Sequence, residues 1–261
     1  MMGRLLMDVT VTHPRTARHN ASPDEVEVRL RGRRVESVGR HGKFLVLDLD
    51  DGYTMVAHLG MSGRFTIGKP QDQPVAHTHF VATLDDGTQV RFIDPRTFGF
   101  VAVYDEDEVA RSGMSRLGPD AWESPPEAQT LADALAGRTA PIKALLLDQG
   151  PLAGLGNIYA DEVLFRAGVH PLTPGRLMSI DQLSALLDAT REVLESAIES
   201  GGTTLDDLAY LLPDGRAGEN LGRLAVYGRE GEPCPSCASP IERVVVRARS
   251  THFCGVCQAV D

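Results

Sequence analysis

The sequence predicts an α+β multidomain chain: an N-terminal β-sandwich, a helical domain around a helix–turn–helix stretch, and a C-terminal β-hairpin stapled by cysteines. Three observations predict it. Short apolar runs joined by Asp-Gly turns fill the first hundred residues, as hairpins do. Apolar residues then recur at helical spacing between about residues 131 and 200. The only four cysteines stand as two Cys-x-x-Cys pairs close to the end.

Bulk properties bound the answer. A chain of 261 residues with 42% hydrophobic content can bury a real core in one large domain, or two small ones plus an appendage. No run of about 18 apolar residues exists, so no membrane span is expected. The start, MMGRLLMDVTV, lacks a long apolar region followed by a small-residue cleavage site; no signal peptide and a cytoplasmic location are expected. The net charge of −10 argues mildly against a nucleic-acid partner, since phosphate contacts need Lys and Arg. Charge placement weakens that objection. Residues 1–45 hold nine Lys or Arg against five acids, whereas residues 104–137 hold eight acids against two arginines.

The sandwich strands follow from alternation. Val9 and Val11, then Val26, Val28 and Leu30, alternate with polar residues and predict β-structure. Lys43 to Leu49 is a stronger strand, turned by Asp50-Asp51-Gly52 into Tyr53 to His58. Phe80 to Leu84 turns at Asp85-Asp86-Gly87 into Gln89 to Ile93, and Phe98 to Tyr104 closes an all-β domain near residue 110. Two loops carry residues of a kind that loops rarely carry. His58-Leu-Gly-Met-Ser-Gly-Arg64 sets Met61 between glycines, and Asp94-Pro-Arg-Thr-Phe-Gly99 sets Arg96 and Phe98 on a turn. Taken singly, Met61 and Phe98 read as core residues and Lys43 as a solvated strand end.

Residues 105–125, acidic and then rich in Gly, Pro and Ser, read as a linker. A short helix is expected at Leu131 to Leu135. The stretch TAPIKALLLDQGPLAGLGNIYADEVLFRAGVH, residues 139–170, reads as two helices about a glycine-bearing turn. Asn157 is expected to cap the second helix, whose first amides would suit an anion, with Lys143 adding positive charge. An αα-hairpin whose glycines only permit close packing remains the plain alternative. Ser179 is the expected N-cap of a long amphipathic helix stopped by Gly201-Gly202, Thr203-Thr204 cap another, and residues 212–219 form a loop.

Cys234-Pro-Ser-Cys237 and Cys254-Gly-Val-Cys257 are separated by sixteen residues. That spacing reads as a tetrahedral Zn2+ site, the hairpin of Val244 to Phe253 bringing the pairs together; two disulfides or a redox pair are the alternative. Four thiolates leave no position for water, so one structural zinc is expected rather than a catalytic one. Arg247 and Arg249 on the hairpin would then face a partner.

These features occur together and in order: the sandwich, GLGNIYADEVLF, VYGREGEPC, and paired Cys-x-x-Cys ending in Cys257-Gln258. The chain thereby resembles the formamidopyrimidine-DNA glycosylase and endonuclease VIII family from about Asp8 to Gln258. HLGMSG and DPRTFG resemble the formamidopyrimidine branch more closely. The resemblance implies a base-excision repair enzyme that excises oxidised bases of the formamidopyrimidine and 8-oxoguanine type, with associated abasic-site lyase activity. It implies a β-sandwich over residues 1–112, a helix-two-turn-helix DNA-binding domain over 124–222 and a zinc finger over 225–261. It further implies double-stranded DNA carrying a damaged base or abasic site as the partner of a monomeric, nucleoid-associated protein. By position, Met61, Arg96 and Phe98 match the residues that fill the hole left by an extruded base. Lys43 matches a lysine assisting elimination. His77, Lys143, Asn157 and Arg249 match phosphate contacts, and Glu162 matches a buried acid. Thr97 stands where many members carry a second arginine.

One departure concerns the covalent step. The family begins with Pro-Glu and a helix, and the proline amine attacks the sugar. Here the residues run Met1-Met2-Gly3-Arg4, and the first proline is Pro14. Three explanations stay open: a misassigned start, a non-catalytic paralogue that binds damaged or abasic DNA, or a substitute amine such as Lys43 or that of Met1. Activity of this chain is expected to be impaired.

Overall fold

The computed structural model describes residues 1–73, 75–205 and 210–259. The chain divides into two compact units, one of residues 1–115 and 203–219, the other of residues 116–202 and 220–261.

The first unit is a sandwich of two four-stranded antiparallel sheets. One sheet orders β1 (Leu6–Val11), β6 (Thr78–Leu84), β7 (Gln89–Ile93) and β5 (Arg64–Gly68). The other orders β2 (Val35–His41), β3 (Phe44–Leu49), β4 (Thr54–His58) and β8 (Phe100–Tyr104). Alternate residues from both, among them Val9, Leu47, Met55, Phe80, Phe92 and Val101, make one core.

Val26, Val28 and Leu30 do not form a strand. They lie on helix α1 (Pro23–Leu30), which starts at Ser22, whose Oγ accepts the Glu25 N–H, with Pro23 at the first helical position. Val26 and Leu30, four residues apart, are buried, while Val28 is exposed. Over five residues an alternating pattern satisfies the helical period as well as the strand period, and the cap decides between them. Strand β8 starts at Phe100 rather than Phe98, because Thr97 takes a left-handed φ of 54° and keeps Phe98 in the loop.

The segment expected to be a linker is ordered. Asp105 and Glu108 form a capping box that starts α2 (Glu106–Arg111). Farther on, Asp120 accepts the Trp122 and Glu123 N–H groups, and residues 119–121 hydrogen-bond to Ala153.

The second unit holds α3 (Ala128–Leu135), α4 (Ile142–Asp148), α5 (Asn157–Arg166) and α6 (Ile180–Glu199). Ser179 caps α6 in a capping box with Gln182. Leu131, Leu145, Leu146, Val163, Leu164, Leu183 and Leu186 fill the core between the helices. The hairpin of β9 (Glu242–Val246) and β10 (Arg249–Phe253) completes the unit. The helix expected after Thr203-Thr204 would run through residues 206–209, outside those described. Residues 212–216 form a turn closed by Leu212 N–H to Arg216 O. No helix among the described residues is long and apolar enough to cross a membrane.

Candidate nucleic-acid interface and metal centre

In the sandwich unit the two unusual loops are tied into one body. Asp94 is buried; its Oδ1 accepts the Ser62 hydroxyl at 2.6 Å and its Oδ2 accepts the Gly99 N–H at 2.7 Å. Ser62 Oγ in turn accepts the Arg96 N–H at 3.2 Å. Gly60, with φ 67°, lies so close to the other loop that a Cβ would stand 2.5 Å from Gly99 N. Arg18 clamps the far side. Its guanidinium donates to the carbonyls of Phe98 (2.8 Å), Gly99 (2.6 Å) and Arg15 (2.8 Å), and lies over the Phe100 ring. Sequence reasoning missed Ser62, Asp94 and Arg18; an Asp opening a Pro-containing turn was the available signal.

This framework presents two apolar side chains to solvent. Met61 is 54% and Phe98 46% exposed, with Arg96 exposed between them in sequence. His77 is also exposed, at φ 64°, and its carbonyl accepts the Asp94 N–H. Lys43 is exposed beside the buried Gly42, next to the strand that pairs Phe44 with His58. His58 Nδ1 accepts the Gly60 N–H at 2.9 Å. Burial, then the charges of Lys43 and Arg18, pull the His58 imidazole down to about 4. Lys43 and His58 are therefore neighbours electrostatically, as the Phe44–His58 register also places them.

The helical unit places its residues differently from expectation. The N-cap of α5 is Gly156, with no side-chain cap bond, and Asn157 occupies the first helical position. With no capping side chain, the start of α5 can receive an external anion on its opening amides. Gln149 shapes the preceding turn. It adopts φ 66°, donates to the Leu146 and Leu155 carbonyls and accepts the Gly154 N–H.

Lys143 is not presented to solvent as a cation for phosphate. Its side chain is 0% exposed and its ammonium lies 2.6 Å from Asp161 Oδ1 and 2.7 Å from the Ser250 carbonyl. Asp161 Oδ2 also accepts the His252 N–H at 2.9 Å. Burial lowers the Lys143 pKa, and Asp161 opposes the shift. The pair fastens α4 and α5 to β10, and the last two carry Asn157 and Arg249. Arg249 itself is exposed. Glu162 is buried and accepts three consecutive backbone N–H groups, from Ala225, Val226 and Tyr227, at 2.7, 3.0 and 2.8 Å. It anchors the strap leading to the cysteines.

The four Sγ atoms of Cys234, Cys237, Cys254 and Cys257 lie within 4.8 Å of one another. The separations of 3.8 Å (Cys234–Cys257) and 3.4 Å (Cys237–Cys254) exceed a disulfide bond of about 2.05 Å. They suit the edge of a tetrahedron with Zn–S near 2.3 Å, which is roughly 3.8 Å. Without a cation the thiols compete for charge. Hydrogen bonds from Ser239 bring Cys237 down to about 6, while Cys257 is pushed up to about 12, first through its bond with Cys237. A divalent ion resolves that competition, and these four residues form one structural zinc site. Gln258, fully buried, accepts the Cys254 N–H and donates to Val169 O, fixing the second knuckle to the helices.

A β-sandwich bearing two coupled loops with exposed apolar side chains, a helix–turn–helix pair with an open helix N-terminus and a four-thiolate zinc finger define a modular zinc-finger protein of the helix-two-turn-helix class. Residues 1–101 match the formamidopyrimidine-DNA glycosylase N-terminal domain, residues 117–208 its H2TH domain, and residues 231–260 the zinc finger found in FPG and IleRS. The formamidopyrimidine-DNA glycosylase of Chloroflexus aurantiacus is 44% identical over 241 residues, covering 91% of this chain and 84% of that protein. That of Corynebacterium efficiens is 40% identical over 268 residues, covering 100% and 94%. The crystal structure of the MutM (Fpg) protein from Thermus thermophilus superposes with a TM-score of 0.85 at 40% identity, covering 100% of this chain and 94% of that one. Lactococcus lactis Fpg in complex with DNA containing an abasic site superposes at 0.86 with 29% identity, covering 100% and 94%. The chain belongs to the formamidopyrimidine-DNA glycosylase family.

Proposed function

We propose that this protein excises oxidised bases of the formamidopyrimidine and 8-oxoguanine type from double-stranded DNA and cleaves the resulting abasic site. The observation that carries the reading is the rigid presentation of two exposed apolar side chains, Met61 and Phe98, flanking Arg96 on loops locked through Asp94. Apolar side chains held in solvent on a rigid frame suit insertion between base steps, which extrudes the lesion. In this reading Met61 and Phe98 fill the vacated stack and Arg96 pairs with the orphaned base. His77, Asn157 with the opening amides of α5, and Arg249 hold phosphates. Lys143, through Asp161, positions α5 and β10 rather than touching DNA. Lys43 assists elimination. The protein acts as a monomer at the nucleoid, in three modules spanning residues 1–112, 124–222 and 225–261.

The covalent step calls for an amine with a free lone pair. Pro14 is the first proline among these residues and its nitrogen is acylated. We therefore infer that residues 1–261 by themselves are impaired in this step relative to a chain preceded by a Pro-Glu segment. Borohydride trapping on a duplex with an abasic site tests this. Trapping of only a chain extended by the Pro-Glu helix supports a competent scaffold lacking its nucleophile. Trapping of both points to an internal amine, with Lys43→Met the first variant to make. Binding by both without trapping favours the second reading, a non-catalytic reader of damaged or abasic sites. No lesion-selective binding by either removes both readings.

A further inference from the structure

The β9–β10 hairpin turns through only two residues, Arg247 and Ala248, between the paired Val246 and Arg249. Both are left-handed, at φ 45° and 61°. A two-residue turn of this kind ordinarily takes Asn-Gly or Gly-Gly, because a Cβ crowds the backbone in that region. An arginine and an alanine here cost conformational energy, and such costs persist where the side chain is used. The Arg247 side chain is exposed and forms no hydrogen bond or ion pair among the described residues. Its neighbours are engaged: Arg243 faces Glu230, and Arg229 binds Glu232 and the Ala225 carbonyl. The base of the hairpin is held by the four-thiolate site and by the Lys143–Asp161 contacts to Ser250 and His252. The tip therefore projects an unpaired guanidinium from a firm support, two residues from Arg249.

We propose that Arg247 is a phosphate-binding residue, taking a phosphodiester group of the DNA backbone next to the one bound by Arg249. This rests on the DNA-binding reading above. In a chain of net charge −10 the overall field repels a polyanion, so affinity has to come from such locally concentrated arginines. The guanidinium fork suits two phosphate oxygens at once.

The test uses the zinc-loaded full chain, a duplex with a tetrahydrofuran abasic analogue, and fluorescence anisotropy between about 50 and 300 mM salt, the range in which counterion release is read. Arg247→Gln keeps the backbone cost and removes the charge. It is expected to melt with the wild type, bind about 3–10-fold more weakly at low salt, and lower the slope of log K against log salt by about 0.9. Arg247→Gly should show the same slope loss yet melt at the same or a higher temperature, because the left-handed residue no longer carries a Cβ. Arg247→Lys should keep the slope. Wild-type affinity and slope in Arg247→Gln, with Arg249→Ala still weakened, overturns the proposal. A slope loss in Arg247→Lys equal to that of Arg247→Gln overturns it too, since charge would not be what matters. Absence of salt-dependent duplex binding by the wild type instead removes the DNA-binding reading itself.

Discussion

Replacing Lys143 by Met removes one half of the buried Lys143–Asp161 pair while keeping most of the side-chain volume. The cavity contribution is then small, and the electrostatic one dominates. Asp161, with a side chain 0% exposed, is left with the His252 N–H as its remaining backbone donor, and the Ser250 carbonyl loses its ammonium donor. Breaking a buried pair from one side costs about 3–5 kcal/mol. Trp122 is the only tryptophan and lies in the helical unit, so its fluorescence follows unfolding there. With a urea m-value of about 2 kcal/mol/M, the midpoint should fall by about 2 M. Adding Asp161→Asn neutralises the stranded carboxylate while keeping an acceptor for the His252 N–H, and should recover roughly half the loss. A single variant within about 1 kcal/mol of wild type, or a double variant no better than the single, refutes the view that this pair fastens the hairpin to the helices.

Three further outcomes are expected. Asp94→Asn turns one acceptor into a donor facing either Ser62 or Gly99; it should cost about 2–3 kcal/mol and abolish unstacking of a 2-aminopurine placed beside the lesion, and unchanged fluorescence of the probe would count against the locked-loop account. Burial, followed by the charges of Lys43 and Arg18, holds His58 neutral, with a folded pKa of about 4 against an ordinary 6.5. Between those values the unfolded chain binds the additional proton, so stability is complete above about pH 6.5, falls as pH drops toward 4 and is flat below. Melting temperature against pH, repeated on His58→Gln, reads this directly, and an unaltered profile in that variant would show the dependence lies elsewhere. Chelation should release one zinc per chain, expose four reactive thiols to a thiol reagent and abolish duplex binding; full binding by a demonstrably zinc-free chain would contradict a structural role for the metal.

Much of the architecture was legible in the sequence because it rests on local chemistry. Asp-Gly turns between apolar runs announce hairpins, Ser179 with Gln182 announces the start of α6, and the spacing of Cys234, Cys237, Cys254 and Cys257 announces a tetrahedral metal site. Strands β2 and β5 went unread, since VESVGRH and RFTIG carry too few inward apolar residues to show a period. The α1 helix was misread because five alternating residues satisfy two periods, and the Ser22-Pro23 start outweighs the alternation.

The loops divide the same way. Met61, Arg96 and Phe98 were marked by their position among glycines and prolines, and the structure shows all three exposed. What couples them was not visible, because Ser62 and Asp94 are 32 residues apart and Arg18 reaches Phe98 across 80. Asn157 and Lys143 were assigned as phosphate contacts from their places near helix starts and from the family resemblance. The Gly156 cap moved the first inward by one position, and burial against Asp161 and Ser250 turned the second from a surface cation into an internal tie. Sequence alone determined the Asp-Gly turns, the Ser179 cap of α6 and the two Cys-x-x-Cys pairs, since each depends on residues within a few positions of one another. Only the tertiary structure decided which charges are buried, which apolar side chains remain outside and which loops are tied together, because those depend on partners that the chain brings together from far apart.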